Sequence, residues 1–270
     1  MNYRYEIQAE AGSGLALLAS LPAPICGTAN SADDGDLLEK RMKAPRCAAC
    51  PRAGRCRRPK EPAATGPYQR LLGAPAWRKL PVEVRNRFAG AVQGAKPKHY
   101  TGHVIETRMN RVGRIFARFA QLIGAPLPAA PGGQGPASVL VCHDETLGGQ
   151  LWTRTYAAAG GFPQVVNSVK RFQGPTGLEE YVGPWRRCGL GMALRVSAPD
   201  GVLTFRSTHY FLEIFSLRLR LPAALTPGTL TITHEQLAGR AFRFTLALTH
   251  ARLGALIRQT ATFLDPPAGG

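Results

Sequence analysis

Acidic side chains are scarce in this 270-residue sequence: 17 Asp and Glu stand against 34 Lys and Arg, for a formal net charge of +17. Such an excess of positive charge favours anionic partners. No apolar run reaches the length of about 18 residues that a membrane span needs, so the sequence predicts none. The short apolar run at 14–21 lacks the basic front end of a secretory signal, so we expect a cytoplasmic protein.

The common motifs of catalytic and metal sites are also missing. The sequence has no nucleophile elbow, no His-Glu-x-x-His zinc motif and no Gly-Lys-Ser/Thr after its glycine-rich loop at 128–136. Cys47, Cys50 and Cys56 are spaced as zinc ligands are, but a structural zinc site takes four ligands and no fourth lies nearby. We therefore predict no metal and no cofactor. Without a secretory signal, a disulfide framework is not expected either.

The chain divides in two by composition. Residues 1–65 are rich in Ala, Gly, Pro and Arg without an apolar period, which predicts a disordered basic extension. Residues 66–270 are predicted to form a single β-rich domain. Near its start, apolar residues at helical spacing predict a helix over about 80–91, and a basic amphipathic helix follows Asn110. Such a helix can lie on an anionic membrane, but we expect its apolar side to pack on the sheet.

Short strand patterns separated by Gly- and Pro-containing turns fill the domain from residue 139 onward. We count about nine or ten antiparallel strands without intervening helices. This pattern predicts a mainly β, α+β fold: a closed barrel or a strongly curved antiparallel sheet with one or two packed helices.

Residues 201–265 carry the clearest strand pattern. From Leu203 the apolar side chains fall on odd positions and the arginines on even ones, as in a strand with one buried and one solvent-exposed face. We predict four strands in this stretch, the first of them bent near Glu213 because it exceeds the usual length of about 5 to 6 residues. The predicted inward face of that first strand includes Ser207 and His209.

Polar side chains interrupt the inward faces of several strands. A buried polar group without a partner costs about 1–3 kcal/mol, so these groups either satisfy one another or line a cavity. Arg154 shares a strand face with Trp152 and Tyr156, where it can pair with Glu180 or meet an anionic ligand. The candidate ligand-binding residues are Arg154, Glu180, Ser207, His209, Glu213, His234 and Gln259.

Three functions fit this pattern. The first is an accessory module that holds an apolar or lipid-like small molecule in the concave face of the sheet. The second is an enzyme in which His209 or His234 is a general base oriented by Glu213 or Glu235. The third is an electrostatic module that binds nucleic acid or an acidic partner through residues 40–118. Of these two partners nucleic acid is the less expected, because no recognition helix, stacking aromatics or zinc finger accompanies the charge.

Several short segments occur in the same order as in a known family. They include Trp-Thr-Arg at 152–154, Ser-Val-Lys-Arg-Phe at 168–172, Leu-Glu-Glu-Tyr-Val-Gly at 178–183 and Arg-Gln-Thr-Ala-Thr-Phe at 258–263. Over about residues 67–265 the chain resembles the bacterial family called domain of unknown function 4166. The resemblance implies no activity. Because members of this family are sometimes joined to dehydrogenase-like domains, it implies a dehydrogenase-like partner.

Overall fold

The structure is a computed structural model. It describes residues 66–89, 97–122, 134–144, 149–157, 163–174, 177–182, 188–215 and 217–267. The predicted extension, with Cys47, Cys50 and Cys56, lies outside the described residues.

Four α-helices lie within the described residues: α1 (Pro67–Leu72), α2 (Ala74–Lys79), α3 (Val82–Phe88) and α4 (Arg111–Leu122). The first three are short and start at or next to prolines, whose fixed φ suits a first helical turn. No helix among the described residues is both long and apolar enough to cross a bilayer.

The described residues also contain eleven strands. These are β1 (Lys98–Met109), β2 (Gly135–Asp144), β3 (Gly149–Tyr156), β4 (Gln164–Gln173), β5 (Gly177–Val182), β6 (Cys188–Ser197), β7 (Leu203–Ile214), β8 (Leu217–Arg220), β9 (Thr229–Gln236), β10 (Ala241–His250) and β11 (Gly254–Leu264). In β2, Cys142 is disulfide-bonded.

Ten of these strands form a closed antiparallel barrel. Their order is β6-β5-β4-β3-β2-β1-β11-β10-β9-β7, and the pairing of β6 with β7 completes the circle. Each strand of the ring pairs with two neighbours. The predicted mainly β fold with a closed barrel is confirmed, and β8 is an extra strand that pairs with the end of β7.

The face pattern of β7 differs from the prediction because of a β-bulge. The pairing with β6 shifts between Ala193 and Leu194, so that Thr208 is an extra residue in β7. An extra residue reverses which positions face inward. Ser207 and Tyr210 are both buried, whereas His209 and Glu213 lie on the outer side of the barrel wall.

The predicted bend near Glu213 is a full reversal of the chain. β7 ends at Ile214, Phe215 adopts a left-handed conformation with φ 56°, and β8 returns antiparallel. Residues 201–265 therefore make five strands where the sequence predicted four. The cause is that the alternation of apolar residues continues through the turn and does not mark the reversal.

Helices α1 to α3 close one end of the barrel with aromatic side chains. Tyr68 and Phe88 are fully buried, and their rings lie 5.1 Å apart edge to face. Phe88 also stacks on Trp152 from β3. The guanidinium of Arg87 donates two hydrogen bonds, of 2.9 and 2.6 Å, to the carboxylate of Asp265, which lies just beyond β11. These contacts fix the helices as a plug in the barrel.

Helix α4 lies over the other end. Asn110 caps it by accepting the backbone N–H of Gly113 at 2.7 Å, and its amide nitrogen donates to the carbonyl of Ala255 at 2.9 Å. Gly113 allows close approach, because a Cβ there would lie only 2.1 Å from the carbonyl oxygen of Leu256. Phe116 packs on the cluster around Leu256. The prediction that this helix packs on the sheet is confirmed.

Candidate functional site

A cavity of about 420 Å³ occupies the barrel beneath α4. Pockets for small molecules span about 300–1,000 Å³ and are mainly apolar. Sixteen of the twenty residues that line this cavity are apolar or aromatic. The four polar exceptions are Arg154, Ser168, Glu180 and Gln259.

The mouth of the cavity lies between α4 and the β8–β9 connection. Phe119 and Leu225 both line the cavity, yet their side chains are 62% and 70% exposed. Beside this opening the β7–β9 ladder stops at Arg206, and the Ser207 hydroxyl then accepts the N–H of Leu230 at 2.9 Å. The divergence of β7 from β9 thus opens the barrel wall without leaving that N–H unpaired.

Four polar side chains from three neighbouring strands meet at the floor of the cavity. Lys170 on β4 lies directly opposite Glu180 on β5. One oxygen of Glu180, Oε1, accepts hydrogen bonds from Lys170 Nζ at 2.8 Å, Ser168 Oγ at 2.7 Å and Arg154 Nη2 at 3.2 Å. The pairing of Arg154 with Glu180 that the sequence allowed is present.

This cluster is charged although it is buried. Burial alone would raise the pKa of Glu180, but the positive charges of Lys170 and Arg154 outweigh it and hold that pKa at about 2. Burial lowers the pKa of Lys170 to about 8 against the attraction of Glu180. Near neutral pH the cluster therefore holds two cations and one carboxylate. It has a net charge of +1.

His234 lies between this cluster and the plug. Its ring is surrounded by Phe88, Phe205 and Phe244, with centroids 5.1–5.8 Å away. Burial lowers the pKa of His234 well below its usual value, so the imidazole is neutral. With Arg154 it lines a separate, small cavity of about 20 Å³, and not the large one.

The other candidate residues fall in different places. Gln259 lines the cavity, and its amide donates to Thr107 Oγ1 at 3.4 Å. Ser207 is buried beside the cavity, where it completes the pairing of β9. His209 and Glu213 do not line it: the bulge turns both outward, and Glu213 accepts a hydrogen bond from the Tyr181 hydroxyl. The predicted convergence of His209, Glu213 and His234 is therefore not observed.

Sequence reasoning missed several residues of this site. Ser168 and Lys170 share one face of β4, and their period-two spacing with Val166 was a signal that could have identified them. No sequence signal places Phe119 and Leu225 at one opening, because they come from distant segments. Among the described residues, no group of three or more His, Cys, Asp or Glu side chains could hold a metal ion.

A sequence model of one protein family matches residues 80–263, which is more than half of the chain. The family is described as Domain of unknown function (DUF4166). No curated protein and no solved structure matches the chain significantly. The match spans all eleven strands except the last residue of β11, together with the floor and the mouth of the cavity. The chain belongs to the DUF4166 family.

Proposed function

We propose that the barrel binds an apolar small molecule in the cavity beneath α4, with the polar end of that molecule against Arg154 and Glu180. The observation that carries this proposal is the distribution of polarity in the cavity. The walls are apolar and the charged side chains lie together at the floor. Such a site binds the body of a ligand by burying apolar surface, at about 25 cal/mol per Å², and a few polar groups fix its orientation.

The described residues offer less support for acid–base catalysis. A general base needs a substrate or an orienting group within about 2.6–3.2 Å. Among the described residues, no histidine hydrogen-bonds to a carboxylate. Glu235, next to His234 along the strand, pairs instead with Arg243 at the barrel exterior at 3.0 Å.

Two matched variants on α4 test the cavity. The side chain of Ala120 lines the cavity, whereas that of Ile115 is exposed on the same helix. Nile red, a neutral apolar dye, serves as the probe. We expect Ala120→Trp to fill part of the cavity and weaken dye binding about tenfold or more, and Ile115→Trp to leave it unchanged. Equal affinities in the two variants, with unchanged thermal unfolding, would place the dye elsewhere and contradict the proposal.

Native mass spectrometry can identify the ligand itself. Protein purified from its own host is compared before and after denaturation. The expected result is a discrete, mainly apolar molecule that denaturation releases, present in the Ile115→Trp protein and reduced in the Ala120→Trp protein.

A further inference from the structure

We infer that the ligand is an amphiphile with a single negative charge at one end, such as a long-chain carboxylate, and that it enters charged end first. This inference rests on the proposed function, because it assigns a ligand class to the same cavity. It stands on three observations: the charge of the floor, the free donors of Arg154, and the absence of compensating charge around the cluster.

The charge of the floor is the first observation. Arg154 and Lys170 both pair with the single carboxylate of Glu180, and both contacts end on the same oxygen. The side chains of Lys170 and Glu180 are 3% exposed, and that of Arg154 is 11% exposed. One positive charge is therefore left over in a site that is largely shielded from water. An excess of one buried charge is unfavourable, and a bound anion would neutralise it.

The geometry of Arg154 is the second observation. Among the described residues, its hydrogen bonds to Ser168 and Glu180 both use Nη2. The rest of its planar guanidinium keeps donors for a ligand, and Arg154 lines the cavity whereas Lys170 does not. A guanidinium can donate two parallel N–H bonds to one carboxylate. Arg154 is thus the residue that would contact the head group, and Lys170 would act through charge alone.

The surroundings of the cluster are the third observation. Another buried cation, Arg87, has its charge balanced by paired hydrogen bonds to the carboxylate of Asp265. His234 is neutral, and burial keeps the Tyr68 hydroxyl protonated by raising its pKa. No further acidic side chain among the described residues lines the cavity. The excess positive charge at the floor is therefore not cancelled by a neighbour within the part of the chain that the structure describes.

The apolar walls define the other end of the ligand. Above the floor the cavity lining is aliphatic and aromatic up to the mouth, where Phe119 and Leu225 are exposed. A short polar ion such as phosphate would leave these walls uncovered. A chain attached to the anion would cover them, and burial of that chain would add to the binding free energy.

The test uses two probes that share one chain and differ in the head group: dodecanoate and dodecanol. Each displaces Nile red from the full-length protein at pH 7. Charge-assisted hydrogen bonds are stronger than neutral ones by an amount that predicts a preference of about tenfold or more for dodecanoate. Equal affinity for the two probes would overturn the inference about charge while leaving the proposed function intact. Displacement by neither probe would count against the proposed function itself.

Two variants distinguish the effect of direct contact between Arg154 and the head group from the effect of the net charge of the cluster. Arg154→Met leaves the neutral Lys170–Glu180 pair, so dodecanoate should lose more affinity than dodecanol and the preference for dodecanoate should disappear. Lys170→Met removes the same charge without touching the cavity lining, so the preference should fall there as well. Thermal unfolding and Nile red affinity report whether each variant is folded. If one variant does not fold, the other and the wild-type comparison still decide. An undiminished preference in a folded Arg154→Met protein would contradict the inference.

Discussion

Lys170 and Glu180 face each other across the β4–β5 ladder inside the barrel, with Nζ 2.8 Å from Oε1. The pair is buried at the floor of an apolar cavity, and Arg154 adds a second cation to the same carboxylate oxygen. Apolar side chains in these positions would serve stability as well or better. These charges give the floor of the cavity a net positive charge. They also make the stability and the ligand binding of the domain depend on pH.

The first prediction concerns stability in acid. The pKa of Glu180 is about 2 in the folded state, below its ordinary value of 4.5, so the unfolded chain binds the proton more readily. The stability that this carboxylate contributes is present above pH 4.5 and is lost as the pH falls toward 2. The shift corresponds to roughly 3 kcal/mol. Urea unfolding between pH 2 and 6 should show this loss in the wild type.

Glu180→Gln should lack that part of the pH dependence and should be less stable near neutral pH by about 3–5 kcal/mol, because two buried cations lose their partner. Glu235→Gln is the matched control, since Glu235 pairs with Arg243 at the surface where both side chains are 42% exposed. We expect its stability to change by less than about 1 kcal/mol. The same acid sensitivity in the wild type and in Glu180→Gln would contradict this account.

The second prediction concerns the pH dependence of binding. The pKa of Lys170 is about 8 in the free protein, and a bound anion nearby would raise it. Binding of dodecanoate should therefore take up protons near pH 8, and its affinity should fall as the pH rises from 7 to 9.5. Glu180 stays charged and His234 stays neutral over this range. Isothermal titration calorimetry in buffers of different ionisation enthalpy measures the proton uptake.

Dodecanol and the Lys170→Met variant provide the controls for this dependence. Neither should show a change in affinity over the same pH range, since the alcohol carries no charge and the variant has no titrating amine. A dependence of equal size in Lys170→Met would assign the titration to another group.

The third prediction concerns the plug. Phe88 is 2% exposed, and its ring packs against the rings of Tyr68, Trp152 and Phe205. Phe88→Ala should destabilise the domain by about 3–5 kcal/mol through lost burial and the void left behind. Ile115→Ala, at an exposed position of α4, should change the free energy of unfolding by less than about 0.5 kcal/mol. Chemical denaturation with an unchanged m-value is the measurement, and a loss below 1 kcal/mol for Phe88→Ala would show that the helices do not form an integral plug.

The fourth prediction concerns α4 as the cover of the cavity. Asn110→Ala removes both the helix cap and the hydrogen bond to Ala255, and should cost about 1 kcal/mol. Because α4 borders the mouth, Nile red should also dissociate faster in stopped-flow experiments. Asn110→Asp keeps the capping oxygen and loses the bonds that the amide nitrogen donates to the carbonyls of Ala255 and Leu253, so its effect should be smaller. Dissociation rates equal to the wild type in both variants would mean that α4 does not control access.

Much of the fold follows from local patterns in the sequence. Alternating apolar residues and regularly spaced turns predicted a closed barrel or a strongly curved antiparallel sheet, because period two is a property of each strand by itself. The cap at Asn110 and the apolar side of the following helix predicted α4 in the same way. Part of the candidate site could also be predicted from the sequence. Arg154 lies among aromatic residues on its strand face, and an arginine in such a place needs a partner, which Glu180 supplies.

The remaining features depended on the tertiary structure. The bulge at Thr208 turns His209 and Glu213 away from the interior, and a bulge is set by the pairing with β6, which no single strand encodes. The meeting of Arg154, Lys170 and Glu180 on one oxygen depends on the register of three strands. The mouth of the cavity likewise joins Phe119 and Leu225 only after the barrel has closed. Local patterns determine which face of a strand is buried, whereas long-range pairing decides which buried groups meet, because contacts between distant segments form only in the folded chain.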